Sequence, residues 1–362
     1  MNRSYGLMMA LSLAFFGCSG GSSSDAIPSE PDRAPEAGSG KGNAESSGPF
    51  GGSRGASGPG NIAGAASAPS AGTIVEFDLP HGAGPEGITS GPDGNIWFTE
   101  MKASKIGRIT PSGRISEFSL RELERQPEAI TAGADGNVWF TENRGNRLGR
   151  ITPSGQITEF EELTEGATPR GIALGPDNHI WFTEWYGGQV LRWSNDKVDH
   201  FDIPSGEYSD PLAIAAGPDG NLWFTEFGTG NNIGRVTTAG EIEEFPLPTA
   251  HAAVKSITAG PDGNLWFTEP VVSQIGRIST AGIVTEYPLP DFVSPDGIAA
   301  GSDGNLWFSE SRPGRIARIT PSGRVTTFAL APDSEPRGVC AGPDSSVWFA
   351  ESGSDRIGRI IP

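Results

Sequence analysis

Asn95-Ile96-Trp97-Phe98-Thr99-Glu100 returns six more times, with small changes, before the chain ends. Its tryptophans are Trp97, Trp139, Trp181, Trp223, Trp266, Trp307 and Trp348, separated by 42, 42, 42, 43, 41 and 41 residues. A period this regular marks a repeat architecture. Around each copy lie four strand-like pieces. In the first unit these are Pro85-Glu86-Gly87-Ile88, the Ile96–Glu100 stretch after a Gly-Pro-Asp-Gly turn, Lys105-Ile106-Gly107-Arg108-Ile109, and Arg114-Ile115-Ser116-Glu117-Phe118. Gly and Asp supply the positive φ that tight hairpins require. No stretch keeps a helical period, so the domain reads as all-β, and four short strands per unit is the pattern of a propeller blade. Ile-Trp-Phe is apolar on both faces, as in a strand covered on both sides by neighbouring sheets.

The two ends of the repeat complete each other. The last unit stops at Arg356-Ile357-Gly358-Arg359-Ile360-Ile361-Pro362 without a fourth strand, and the first is preceded by an orphan strand, residues 74–80. The expectation is a seven-bladed β-propeller over residues 73–362, closed by that orphan strand joining the last blade and leaving no open edge.

Upstream, Arg3 and the apolar run Leu7 to Phe16 read as an export signal over residues 1–18, too short to span a bilayer as a mature helix. Phe15-Phe16-Gly17-Cys18 resembles a bacterial lipobox, which makes Cys18 the expected lipidation site. Residues 19–72 are rich in Gly, Ser, Ala and Pro and read as a disordered linker with an average reach of about 40 Å. The expected location is a membrane-anchored lipoprotein facing the periplasm or cell exterior, or otherwise a secreted protein, and a monomer. Two cysteines exclude a disulfide framework, and Cys340 reads as a buried thiol. The net charge of −18 argues against nucleic acid as a partner.

An internal repeat separates what holds the fold from what varies. Each Trp-Phe strand ends in Glu (Glu100, Glu142, Glu184, Glu226, Glu269, Glu310, Glu351) and each third strand carries Arg (Arg108, Arg150, Arg192, Arg235, Arg277, Arg318, Arg359). The expectation is one structural Glu–Arg pair per blade. The variable ring stands at the start of the innermost strand: Glu86, Glu128, Arg170, Leu212, Lys255, Asp296 and Arg337. Trp185 and Tyr186 break the pattern in a loop on the same face. Aromatics beside mixed charges suit a small-molecule or peptide-like ligand. His179 reads as a hairpin-turn residue on the opposite face and His200 as an outer-strand residue; His81 and His251 lie in loops on the candidate face without an evident orienting partner, and no nucleophile elbow, phosphate loop or metal-spaced Cys/His cluster is present.

The blade phrase G-P-D-G-N-x-W-F-T-E with I-G-R-I-T-P-S-G-x-I-T-E-F resembles that of the virginiamycin B lyase (streptogramin B lyase) family, across all seven units. The resemblance implies a lyase that opens cyclic streptogramin B antibiotics by elimination, with Mg²⁺ and a His base near the channel mouth. The family phrase Glu-Pro-His-Gly-Ile reads here Glu335-Pro336-Arg337-Gly338-Val339, and Pro-His-Ala-Ile reads Pro295-Asp296-Gly297-Ile298. The resemblance therefore implies Glu335 and Glu351 as metal ligands, puts Arg337 at the base position and Asp296 at a substrate-contacting position, and loses both histidines. A guanidinium stays protonated and is a poor general base. Two readings stay open: a propeller that binds a ligand at Asp296, Arg337, Trp185 and Tyr186 without lyase chemistry, and a Mg²⁺-dependent lyase acting on a cyclic depsipeptide.

Overall fold

Seven four-stranded antiparallel sheets form the seven blades of a β-propeller. This computed structural model describes residues 70–160, 163, 166–194, 196–228 and 230–362. The export signal, Cys18 and the linker as far as residue 69 lie outside the described residues. Six blades run from inner to outer strand in chain order. The seventh is Pro336–Ala341, Val347–Glu351 and Arg356–Ile360, completed by Ile74–Asp78. Ile74 pairs with Ile360 and Asp78 with Arg356, so the orphan strand closes the ring as its sequence implied, ending two residues earlier.

In every blade the Trp-Phe stretch as far as its Glu, such as Ile96–Glu100, is buried. The reason is visible in the cores, which lie between blades. Trp348 of blade 7 packs with Ile88, Ile96 and Phe98 of blade 1, and Trp97 of blade 1 with Ile130, Val138 and Phe140 of blade 2. The third-strand glycine makes room for the phenylalanine: a Cβ on Gly107 would lie 2.0 Å from the Phe98 ring.

The expected Glu–Arg pair in each blade does not form. The repeated Arg lies at the other end of the strand, over the Trp ring, with the Asp of the Gly-Pro-Asp-Gly turn. Arg108 sits 5.3 Å from the Trp97 ring centroid and 3.8 Å from Asp93, and Trp97 Nε1 donates to Asp93 Oδ1 at 2.9 Å. The cause is register: Arg108 stands opposite Trp97, whereas Glu100 stands opposite Lys105.

Candidate functional site

The Thr of each Trp-Phe-Thr-Glu strand positions the ring that varies. Thr99 Oγ1 accepts from Gly87 N (2.9 Å) and donates to the carbonyl of Glu128 in the next blade (2.9 Å). Thr141 holds the carbonyl of Arg170 at 2.7 Å, Thr268 that of Asp296 at 2.8 Å and Ser309 that of Arg337 at 2.5 Å. In blade 7 Ala350 stands in place of the hydroxyl, so no such donor reaches Glu86. The inner strands approach one another closely here: a Cβ on Gly338 would lie 2.5 Å from the Glu86 carbonyl.

These bonds bring Glu86, Glu128, Arg170, Leu212, Lys255, Asp296 and Arg337 together, as their shared repeat position implied. They line a narrow channel of about 150 Å³ and, above it, an open mouth of about 510 Å³. Trp185, Phe227, Met101 and Val271 form apolar wall in that mouth, with Arg312 and Glu335 at its rim. Arg170 stacks 4.8 Å from the Trp185 ring centroid, and Phe227 lies 5.5 Å away from that ring. Tyr186 is 67 % exposed and does not line the cavity, because the loop turns it outward. Phe227, Val271 and Arg312 were missed in the sequence; their signal was a break from the sibling loops, the same signal that marked Trp185.

The charges of the mouth are largely spent on one another. Asp296 Oδ2 accepts from Lys255 Nζ (2.5 Å) and Arg337 (2.9 Å). Glu128 accepts two bonds from Arg170, at 2.8 and 2.9 Å. Arg337 also lies 3.5 Å from Glu335 and 4.0 Å from Glu86. Burial alone would lower the pKa of Arg337; the Asp296 and Glu86 carboxylates outweigh it and raise it. Glu86 is pushed up to about 7 by burial, against the lowering influence of Arg337 and Lys255. None of the four histidines lines the mouth. His81 is exposed beside Asp355, His179 contacts Asp177 at the opposite face, and His200 bonds Gln189 on an outer strand.

Glu335 and Glu351 do not make a pair fit for Mg²⁺. Glu335 reaches the mouth with the Arg337 guanidinium beside it, and a dication there would face that cation. Glu351 is fully buried and absent from the mouth lining; its Oε2 accepts from Ser354 at 3.1 Å. Its Oε1 has no hydrogen-bond partner, but the same holds for both oxygens of Glu100, Glu142 and Glu269, so the orphan oxygen belongs to the blade and does not single out a metal site. Among the described residues no group of three or more His, Cys, Asp or Glu converges to hold a metal.

The virginiamycin B lyase family model matches residues 65–209 and 193–362, the whole propeller. The chain belongs to the virginiamycin B lyase family. A solved streptogramin B lyase is 39 % identical, with 79 % of this chain and 96 % of that one covered and a TM-score of 0.75. The virginiamycin B lyase of Staphylococcus aureus is 37 % identical over 80 % of this chain and 99 % of its own, with a TM-score of 0.76; a catalytically inactive variant of it, with a histidine replaced by alanine, has been solved with quinupristin. The virginiamycin B lyase of Bordetella pertussis matches over 40 residues at 45 % identity, which is 11 % of this chain and 13 % of that protein. This family member thus shares the fold of the lyases across the propeller.

Proposed function

We propose that the propeller binds a peptide-like ligand at the channel mouth and does not catalyse the opening of streptogramin B. One observation carries this reading. Arg337, at the family's base position, is held by Asp296 at 2.9 Å and has its pKa raised, so it has no capacity to take a proton. What remains at the mouth is a recognition surface: Trp185 stacked under Arg170, apolar walls, and backbone-anchored charges suited to amide and carboxylate groups. In the inactive relative solved with quinupristin the altered residue is a histidine, which agrees with a base being needed. The experiment is calorimetric titration of the full chain with quinupristin, alongside chromatographic separation of cyclic from linear product after incubation. Binding without ring opening supports the reading; ring opening well above the enzyme-free rate overturns it.

A second reading rests on Glu86, the one mouth carboxyl whose pKa is pushed up to about 7. In that reading the Glu86 carboxylate removes a carbon-bound proton, the released electron pair forms a double bond, and the ester C–O bond breaks to leave a carboxylate beside Arg337. Ring opening lost in Glu86→Gln would establish it. The location proposed with either reading is the periplasm or cell exterior, with a monomeric propeller tethered to a membrane through Cys18. Cys18→Ala moving the protein from the membrane fraction to the soluble exported fraction supports the tether, and a soluble wild type refutes it.

A further inference from the structure

Between blades 5 and 6 a second open cavity of about 560 Å³ adjoins the mouth, walled by the loops 270–273 and 291–294 and by Arg312. It shares Pro270, Val271, Ser294 and Arg312 with the mouth. Its loops are pinned: Ser273 Oγ donates to the Val293 carbonyl at 2.7 Å, Leu289 N to the Ser273 carbonyl at 2.8 Å, and Ser311 Oγ to the Ser294 carbonyl at 3.2 Å.

Three of its residues depart from their siblings in ways the fold does not require. Phe292 is 91 % exposed at φ +67, whereas the loop of the same shape before blade 1, Leu79 to Pro85, has Gly82 at φ +84 in that place. Glycine takes this backbone without strain; a phenylalanine there is strained and gains no burial. Val271 is 65 % exposed where blades 1 and 2 carry Lys102 and Arg144. Arg312 occupies the equivalent position in blade 6. Its sibling Arg144 pairs with Glu124 at 3.3 Å, whereas among the described residues the Arg312 side chain has no ion pair or hydrogen bond. Two solvent-facing apolar side chains thus flank an uncommitted guanidinium. The exposed Asp291 lies in the same groove and disfavours a ligand with a second negative charge.

We propose that this groove is a subsite for an apolar residue bearing a free α-carboxylate, with the side chain packed between Val271 and Phe292 and the carboxylate taking a forked pair of hydrogen bonds from Arg312. The proposal rests on the peptide-like reading of the mouth for the identity of the full ligand: a peptide seated in the mouth reaches the groove past Ser294 and ends there.

The test is calorimetric titration of the full chain with N-acetyl-L-phenylalanine and with N-acetyl-L-phenylalaninamide. The acid binds the wild type about tenfold more tightly than the amide, because the amide carbonyl keeps one bond of the forked pair and the second, charge-assisted one is lost. R312Q removes that preference. F292G, which suits the backbone and so preserves folding, weakens both ligands. Equal binding of acid and amide by the wild type, no binding of either, or an unchanged preference in R312Q overturns the groove. Quinupristin titrated in parallel separates the two readings. An Arg312-dependent acid preference without quinupristin binding retires the mouth reading alone, and quinupristin binding without an acid preference retires the groove alone.

Discussion

The two ends of a single Trp-Phe strand are built on opposite electrostatic principles. At the Trp end the turn Asp is ionised and saturated. Asp93 accepts from Trp97 Nε1 at 2.9 Å and Asn95 Nδ2 at 2.7 Å; burial alone would raise its pKa, and these bonds outweigh it and lower it. The same lowering holds at Asp135, Asp177, Asp219, Asp262, Asp303 and Asp344. At the Glu end the carboxyl is buried and short of donors. Burial pushes Glu100 and Glu269 up to about 8 and Glu142, Glu184, Glu226 and Glu351 to about 7, and it raises Glu310 as well. Donors at this end differ from blade to blade: Arg315 serves Glu310 at 2.6 Å, Ser205 and Asn232 serve Glu226 at 3.1 and 3.0 Å, and neither oxygen of Glu269 has a partner. The face opposite the mouth repeats one solution in all seven blades. The mouth face carries loops of different sequence, and each blade finds its own arrangement around a constant carboxyl.

The comparison is broken most severely at the seam. Deleting residues 1–72 leaves a folded propeller, whereas deleting 1–80 removes the strand paired with Arg356–Ile360 and lowers the melting temperature by many degrees or causes aggregation. Equal melting temperatures for the two truncations would exclude closure by this strand. Within the blades, Trp223→Ala empties the layer shared with Leu265 and Phe267 and costs about 3–5 kcal/mol in denaturant unfolding. At the mouth, Lys255→Ala takes one of two cationic donors from the buried Asp296, which keeps Arg337, and costs about 1–2 kcal/mol. A mouth substitution as costly as the tryptophan would erase the distinction between scaffold and site.

The two ends also fail at opposite ends of the pH scale. The raised carboxyls contribute stability that is fully present below their unfolded pKa, near 4.5, and is lost as pH rises through 7 to 8. The lowered aspartates contribute stability present above their unfolded pKa of about 3.9 and lost as pH falls through their lower folded values. Melting temperature measured from pH 3 to pH 9 therefore declines on both sides. Glu269→Gln flattens the alkaline limb and leaves the acid limb; Asp262→Asn does the reverse. If both variants alter the same limb, the assignment of the two ends is wrong. The smallest expected effect belongs to metal removal: with Glu335 beside Arg337 and Glu351 buried, EDTA leaves melting temperature and quinupristin binding unchanged.

Much of this architecture could be read directly. The spacing of seven tryptophans, the orphan strand 74–80 and the apolar Ile-Trp-Phe run specify a closed ring of blades, because strand periodicity and edge pairing are local properties of the chain. The variable ring was legible for the same reason, since a repeat places equivalent residues around one axis. Charge partnership was not. Glu and Arg recur in every blade at matched positions, and only the antiparallel register, with Arg108 opposite Trp97, shows that they sit at opposite ends of the strand. Exposure was equally hidden. Trp185 and Tyr186 are neighbours in an identical context, yet the fold turns Trp185 under Arg170 and leaves Tyr186 in solvent.

Sequence by itself determined the number of blades, the closure of the ring and the place of Asp296 and Arg337 in its variable ring, all of which follow from residue identity and spacing. Tertiary structure alone decided that Asp296 is shared by Lys255 and Arg337, that burial raises the pKa of Glu86, and that Phe292 and Arg312 meet at one groove. The physical reason is that pairing, desolvation and exposure depend on which blades become neighbours across the axis, and that juxtaposition exists only once the ring has closed.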